Sequence, residues 1–122
     1  MASPRKRRPS PRSGVSHAAL WRSALALPGV AESTSYGTPA FKVCGKLIAR
    51  VREDGDSLAV MTTFEDRDVL LAAAPAVCFI TDHYLNYPVV LVRLSKVRAD
   101  QLRELLQRAW QLKAPKRLQR TA

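Results

Sequence analysis

Apolar residues recur at helical spacing in three segments of the chain. Leu20, Ala24 and Leu27 predict a first helix, which ends at the Pro-Gly pair that follows. The segment FEDRDVLLAAA predicts a short second helix, because it carries acids in its first turn and Thr63 precedes it as an N-cap. A stripe of leucine and alanine between residues 102 and 112 predicts a closing amphipathic helix.

Strand-like runs fill the chain between the predicted helices. AFKVC, LIARVR and LAVMTT follow the first helix, with turns at Gly45-Lys46 and at EDGDS, where Asp-Gly is a strong hairpin signal. AVCFIT and VVLVRL follow the second helix and flank the loop DHYLNYP. The predicted order is α-β-β-β-α-β-β-α. Because strands joined by tight turns pair antiparallel, we expect an α+β two-layer sandwich, with an antiparallel sheet of about five strands and the helices on one face.

Length and charge indicate a single basic domain with basic ends. A chain of 122 residues is the usual size of one domain. Residues 1–15 are rich in arginine, proline and serine and lack apolar periodicity, which predicts a disordered basic tail. We place the domain at residues 16–113 and expect a frayed basic C-terminus at 114–122. The net charge of +10 attracts polyanions such as nucleic acid, although a solubilising tail on a mildly basic domain would also account for it.

The cysteines and the apolar runs indicate a cytoplasmic protein. Cys44 and Cys78 are too far apart for a CxxC motif and too few for a disulfide framework. Each lies in a strand-like apolar run, where a free cysteine usually behaves as a small hydrophobe. The apolar patch at residues 24–31 is interrupted by Pro28 and Gly29 and is too short for a signal peptide or a membrane span, so no membrane association is expected.

Basic residues occupy the strand positions that alternate with the core. If the registers of neighbouring strands agree, one open sheet face carries four of them: Lys42, Arg50, Arg52 and Arg93. Lys46 lies at a hairpin tip, and strict alternation places Leu47 in the core and Ile48 on the open face. Such a surface suits phosphate contacts, whereas the alternative is an ordinary solvated sheet face, where lysine and arginine are common.

Patterns for catalysis, metal binding or phosphate loops are weak. Asp82-His83-Tyr84 is a compact polar cluster, but adjacent residues of an extended segment point apart, so it makes a poor acid–base pair. The cysteines and histidines lack metal-ligand spacing, and EDGD lacks the full pattern of a calcium loop. YGTPAFKVCGK lacks the spacing of a phosphate-binding GxxxxGK-Ser/Thr loop. We therefore expect a non-enzymatic protein without catalytic residues, metal or cofactor.

Several segments resemble the MmcQ/YjbR-like family over about residues 17–113. They are LALPGVAESTSYGTPAFKVCGKLIARV, then YPVVLVRL after a loop with tyrosine, then a Leu-rich helix. The most specific elements are PGV, GTPAF and the GK turn, in that order and spacing. The resemblance implies a compact α+β fold related to frataxin (CyaY)-like and secretion-chaperone-like sandwiches. It also implies a small bacterial cytoplasmic protein of a kind often described as DNA-binding through a double-wing arrangement.

The resemblance is carried by individual positions of this chain. The matching residues are Pro28, Gly29, Val30, Gly37, Pro39, Phe41, Gly45, Lys46 and Tyr84. Many members carry tryptophan where this chain has Tyr87-Pro88, which leaves a large aromatic platform there in doubt, and the Arg-rich tail lies outside the family pattern. Iron binding of the frataxin kind needs acids on the first helix, and residues 16–27 contain none.

The leading expectation is weak nucleic-acid binding through hairpin wings, the sheet face and the tail. The residues expected to contact phosphates are Lys42, Lys46, Arg50, Arg52, Arg93, Arg5, Lys6, Arg7 and Arg8. Exposed tyrosines would stack on unpaired bases, whereas the acids of EDGDS would repel a phosphate backbone. One alternative is a chaperone-like module that binds a protein partner or forms a homodimer. Another is a small-ligand cleft lined by Tyr36, Pro39, His83 and Tyr84.

Overall fold

The structure is a computed structural model that describes residues 14–121. The tail residues Arg5, Lys6, Arg7 and Arg8, which the sequence predicts to contact phosphates, lie outside the described residues. In chain order the elements are α1 His17–Leu25, β1 Val30–Ser35, β2 Thr38–Val43, β3 Lys46–Val51, β4 Ser57–Met61, α2 Phe64–Ala73, β5 Cys78–Phe79, a 3-10 turn at Asp82–Tyr84, β6 Val89–Arg93, α3 Ala99–Lys113 and α4 Lys116–Thr121.

The strands form one antiparallel sheet in the order β1-β2-β3-β4-β6-β5. The helices α1 and α3 pack on one side of it, and their buried residues belong to the main core cluster. This arrangement confirms the α+β two-layer sandwich. Within the described part of the chain, no helix is long and apolar enough to cross a membrane.

The sheet has six strands, one more than the sequence predicts, because the segment VAESTS forms the additional strand β1. This strand pairs with the whole of β2, from Val30 opposite Val43 to Ser35 opposite Thr38. Its composition is mostly small and polar because it lies at the sheet edge, where one side has no neighbouring strand. An edge strand of this kind lacks the apolar alternation by which strands are recognised.

Two tight hairpins join the first three strands. Tyr36-Gly37 connects β1 to β2 with φ angles of 54° and 77°, and Cys44-Gly45 connects β2 to β3 with φ angles of 49° and 78°. Positive φ at both central residues is typical of a type I′ turn, which follows the twist of the flanking strands. The second turn therefore lies one residue before the predicted Gly45-Lys46, and Lys46 begins β3.

Because of a β-bulge, two residues of β3 lie on the faces opposite to those predicted. Lys42 is paired with Leu47 and Phe41 with Ala49, so Ile48 is the extra residue on its strand. Ile48 is fully buried in the main core, and Leu47 shares the side of Lys42. The strict alternation predicted the opposite for both residues and was wrong, because one inserted residue exchanges the faces on either side of it.

The main core lies between the sheet and the helices. Its large buried side chains include Phe41, Leu20, Ile48, Leu58, Leu102 and Leu106. The ring of Trp21 packs edge-on against Phe41, with ring centroids 5.1 Å apart. Since α1 and α3 cover this side, the opposite side of the sheet remains available for other contacts.

The folded part extends beyond both predicted boundaries. Before α1, the N–H of Gly14 donates to Val97 O at 2.8 Å, and the N–H of Val15 donates to Leu94 O at 2.7 Å. At the other end, α4 replaces the predicted frayed segment over residues 116–121. Leu118 of this helix packs against the main core, and the Gln119 side chain donates to carbonyls at the end of α3. These contacts explain why the short helix is held in place.

Gly29 packs against Leu118 of α4 just before β1 begins. It has a φ of 74°, and a Cβ added there would lie 2.8 Å from Leu118 Cδ1. Gly55 has the same φ of 74° but no atom within 4 Å of an added Cβ. Gly55→Ala therefore measures the cost of the positive φ alone. We expect Gly29→Ala to lower the free energy of unfolding by about 2 kcal/mol and Gly55→Ala by about 1 kcal/mol. Urea denaturation of both variants measures this, and equal effects would show that the Leu118 side chain moves aside without measurable cost.

Candidate functional site

The open face of the sheet is the side opposite the helices. The register aligns Ala40 with Arg50, Arg50 with Ala59 and Ala59 with Leu91, so these residues share one face. The same alternation brings four basic positions to this face: Lys42, Arg50, Arg52 and Arg93. Within the described strands, no acidic residue occupies a position on this face. The registers therefore agree as the sequence analysis required.

Arg50 is enclosed on this face instead of projecting into solvent, since only 7% of it is exposed. Its Nη1 donates to Thr38 Oγ1 at 2.7 Å and lies 3.5 Å from a carboxylate oxygen of Glu53, and its Nη2 lies 3.5 Å from Tyr84 Oη. Its guanidinium carbon lies 5.3 Å from the centre of the Tyr36 ring. The pKa of Glu53 is lowered, first by its backbone N–H and then by the charge of Arg50. Arg50 thus supports two tyrosines and is not itself an exposed phosphate contact.

Two further arginines on the open face lie against aromatic rings. The guanidinium carbon of Arg52 is 5.6 Å from the centre of the Tyr84 ring, and that of Arg93 is 3.9 Å from the centre of the Phe79 ring. Both arginines remain partly exposed, and the buried Nε of Arg52 has no hydrogen-bond partner. An arginine fixed on an aromatic ring keeps donors free for an incoming phosphate or carboxylate.

The loop between β5 and β6 covers the middle of the open face. Tyr84 packs there against Ala59, Val89 and Leu91, which form a second, smaller core cluster. His83 is exposed and its ring lies edge-on to Tyr84, with centroids 4.8 Å apart. The placement of His83 in this aromatic loop gives no support to an acid–base pair with the neighbouring aspartate.

Arg67 of α2 anchors this loop, and sequence reasoning missed it. The residue is 6% exposed, and its Nη1 and Nη2 donate to the carbonyls of Tyr84, Leu85, Tyr87 and Val89 at 2.8–3.4 Å. Its guanidinium carbon also lies 4.9 Å from the centre of the Phe64 ring. The available signal was its position three residues after Phe64 and three before Leu70, on the apolar side of the predicted helix.

The acids of the EDGDS turn are engaged within the protein. Asp54 accepts hydrogen bonds from the N–H groups of Asp56 and Ser57 and from the Ser57 hydroxyl, at 2.8–2.9 Å. The N–H of Ser57 is the main cause that lowers the pKa of Asp54. Asp56 in turn accepts from the N–H and hydroxyl of Ser95, both at 2.9 Å. Among residues 14–121, no three acidic, histidine or cysteine side chains converge as a metal site.

The structure separates the GK turn and the EDGDS turn, which are the two hairpin turns expected to form the wings. The turns that precede and follow β3 lie at opposite ends of this six-residue strand, about 20 Å apart. The Tyr36-Gly37 turn, in contrast, lies at the same end as the EDGDS turn, because β2 and β3 are consecutive antiparallel strands. Tyr36, Arg52 and Arg93 therefore share one end of the open face, which we call the tyrosine end.

Only some of the residues predicted to line a small-ligand cleft lie close together. Tyr36 and Tyr84 both contact Arg50, and His83 contacts Tyr84. Pro39 lies between Thr38 and Ala40 on β2 and two residues from Phe41, so alternation places it on the helix side of the sheet.

A separate cavity of about 280 Å³ lies on the helix side, between α2 and α3. Its walls are mainly apolar and include Leu70, Val77 and Leu105. Cys78 also lines it, and burial raises the pKa of this thiol. An ion pair joins Asp66 and Arg108 at its rim with an N–O distance of 3.5 Å. This cavity is on the other side of the sheet from Tyr36 and Tyr84.

The fold and the site together define a class: a small α+β protein with helices on one side of an antiparallel sheet and an arginine–aromatic surface on the other. Comparison with known families gives the particular one. The family described as YjbR matches residues 25–112, and the chain belongs to the YjbR family. This result confirms the resemblance that PGV, GTPAF and the GK turn indicated.

Two similar proteins are the uncharacterized protein Mb2600 of Mycobacterium bovis and the uncharacterized protein Rv2570 of Mycobacterium tuberculosis. Each is 42% identical to this chain over 65 residues, which is 52% of this chain and 50% of the relative. The chain thus spans about half the length of the curated relatives it matches.

Proposed function

We propose that this protein binds nucleic acid through the open face of its sheet, without catalysis. The observation that carries the proposal is the set of arginine–aromatic pairs on that face: Arg50 with Tyr36, Arg52 with Tyr84, and Arg93 with Phe79. Phosphate oxygens favour partly exposed arginines, and the strand positions of this face that the structure describes contribute no competing carboxylate.

Charge distribution supports the same proposal. Arg52 and Arg93 lie at the tyrosine end, and Lys42 lies toward the other end of the face. Lys46 is exposed but is aligned with the core residue Val43, so alternation places it on the helix side and not on this face. The acids nearest the tyrosine end are held by internal hydrogen bonds or by Arg50, which weakens their repulsion of a phosphate backbone. Contacts of this kind recognise the backbone and not the base sequence.

A protein partner is the second candidate, because the resemblance implies a relation to secretion-chaperone-like sandwiches, which present a sheet or helix face to a partner. Tyrosine and arginine are enriched at protein interfaces, so the same pairs would also suit an acidic peptide. The two candidates differ in salt dependence, since each phosphate contact releases condensed counterions from the nucleic acid.

The test is a titration of labelled DNA at several salt concentrations with the double variant Arg52→Gln/Arg93→Gln. We expect weaker binding and a logarithmic salt slope that is less steep by about one unit for each contact removed. The matched control is Arg22→Gln/Arg103→Gln, which removes two exposed charges on the helices. An equal loss of affinity in both double variants would show that binding depends on the net charge and not on this face. Absence of binding by the unaltered chain at low salt would refute nucleic-acid binding and favour the protein partner.

A further inference from the structure

We infer that the nucleic acid bound at this face is single-stranded, and that Tyr36 stacks on an unpaired base at the tyrosine end. This inference rests on the proposed function and adds the class of ligand and the residue that selects it. Base stacking on an aromatic side chain requires a base whose face is not already covered by its neighbours, which a regular duplex does not offer.

Tyr36 has an unusual combination of exposure and backbone conformation. It lies at the tip of the first hairpin with 87% of its surface exposed, and its φ is 54°. The central positions of a type I′ turn favour glycine, asparagine and aspartate, because a Cβ is strained at positive φ. A tyrosine there gains little from burial, since most of it is in solvent. Neither core packing nor turn formation accounts for this residue, and its contact with Arg50 uses one side of the ring, so we assign the exposed remainder to a ligand.

The ring of Tyr36 is held in position from one side. Arg50 lies over it at 5.3 Å, and Arg50 is itself fixed by Thr38 Oγ1 at 2.7 Å. The Thr38 hydroxyl donates in turn to Ser35 O across the same hairpin at 3.0 Å. Because the guanidinium covers one face of the ring, the high exposure of Tyr36 leaves the other face for a ligand. Arg50 is thus a positioning residue, and the ring is ordered before any base arrives.

The surroundings favour a nucleotide over an uncharged aromatic ligand. Extending the Ala40–Arg50 pairing by two residues places Thr38 beside Arg52, and the N–H of Arg52 donates to Ser57 O at 2.8 Å. Ser57 is aligned with Arg93, so Arg52 and Arg93 are two strand spacings apart, or about 10 Å. A strand that stacks one base on Tyr36 can therefore place its backbone along two arginines at the same end of the sheet.

The experiment uses the full chain and three ligands with equal numbers of phosphates. These are a labelled thymidine oligonucleotide of about 12 nucleotides, within the usual range of single-strand site sizes, the same backbone made abasic, and a duplex. Stacking of one base is expected to make the unaltered protein bind the thymidine strand about tenfold more tightly than the abasic strand. Tyr36→Leu should remove this difference, and Tyr36→Phe should keep it. Binding of the duplex should be the same for all three proteins.

A second variant separates lost stacking from lost folding. Tyr36→Asn creates an Asn-Gly pair, the preferred sequence of a type I′ turn, so its melting temperature is expected to rise by about 3 °C. It should still bind the thymidine strand no better than the abasic strand. A variant that is more stable and yet loses base-dependent binding cannot be explained by unfolding.

The outcomes distinguish this inference from the proposed function. If Tyr36→Leu keeps the preference for intact bases, or if the unaltered protein binds abasic and intact strands equally, single-strand stacking is refuted while salt-dependent phosphate binding stands. A duplex that binds as tightly as the thymidine strand also refutes the inference. If none of the three ligands binds at low salt, the proposed function fails together with it.

Discussion

Replacing Arg67 with methionine is expected to lower the free energy of unfolding by about 3 kcal/mol. The guanidinium is buried and donates to four backbone carbonyls of the loop that covers the open face. Methionine fills a similar volume but donates nothing, so all four carbonyls lose this donor together, and only those of Tyr84 and Tyr87 keep a backbone N–H as a partner. A buried cation is expensive to desolvate, which reduces the net loss below the sum of the separate hydrogen bonds.

Two controls make the Arg67 prediction specific. Arg103→Met removes an exposed arginine from α3 and should change the unfolding free energy by less than about 0.5 kcal/mol. Arg67→Lys keeps the charge but presents its donors from one nitrogen, so it should restore only part of the stability. Urea denaturation gives the free energies, and hydrogen exchange of the Tyr87 amide, which is bonded to Tyr84 O at 3.1 Å, reports the loop itself. A methionine variant as stable as the unaltered chain would show that the loop is held by packing alone.

Arg67 also links the helix side of the molecule to the candidate site. The loop it anchors carries Tyr84, whose hydroxyl lies near Arg50 and whose ring lies near Arg52. Loss of the anchor should therefore loosen both arginines as well as the loop. Part of any loss of nucleic-acid binding in an Arg67 variant would then arise from positioning, since Arg67 itself is too buried to reach a ligand.

The sequence predicted those features that depend on local periodicity. The three main helices and the order of the hairpin strands followed from spacing of apolar residues, and alternation correctly placed Arg50 and Arg93 on one face. The bulge at Ile48 could not be predicted in this way, because pairing with a neighbouring strand decides which residue is extra. The edge strand β1 was missed because its residues pack against one neighbour only and need little apolar surface.

The features of the site that the sequence did not predict depend on contacts between distant residues. The partners of Arg67 lie 17 to 22 positions away along the chain, and Tyr84 lies 34 positions from Arg50. Alternation places an arginine on a face but does not show whether other side chains will enclose it. For this reason Arg50 was expected to touch phosphate, whereas the structure makes it the support of Tyr36.

The Pro-Gly-Val segment, one of the most specific elements of the family resemblance, has a structural explanation. The indole Nε1–H of Trp110 on α3 donates to Pro28 O at 2.8 Å. Gly29 then turns the chain with a φ of 74° beside Leu118 of α4. Val30 then begins β1. The segment is therefore the place where the last two helices attach to the edge of the sheet, and its sequence is not evidence for a ligand site.

The largest single effect on stability is expected at Trp110. Its side chain belongs to the main core and is 3% exposed, so Trp110→Ala should lower the free energy of unfolding by about 4 kcal/mol. Trp110→Phe keeps most of the buried ring but removes the donor to Pro28 O, and should cost about 1–2 kcal/mol. Urea denaturation followed by far-UV circular dichroism measures both differences.

Trp21 provides the matched comparison for this prediction. It is a half-buried tryptophan of α1 whose ring packs edge-on against Phe41, so Trp21→Phe tests the loss of indole surface alone. If Trp110→Phe lowers the free energy of unfolding clearly more than Trp21→Phe does, the excess arises from the lost hydrogen bond to Pro28 O together with any difference in burial. Equal costs would show that the hydrogen bond contributes nothing measurable. In that case the Pro-Gly-Val segment would stabilise the fold through the backbone turn at Gly29 and the packing of Leu118, and not through its carbonyl.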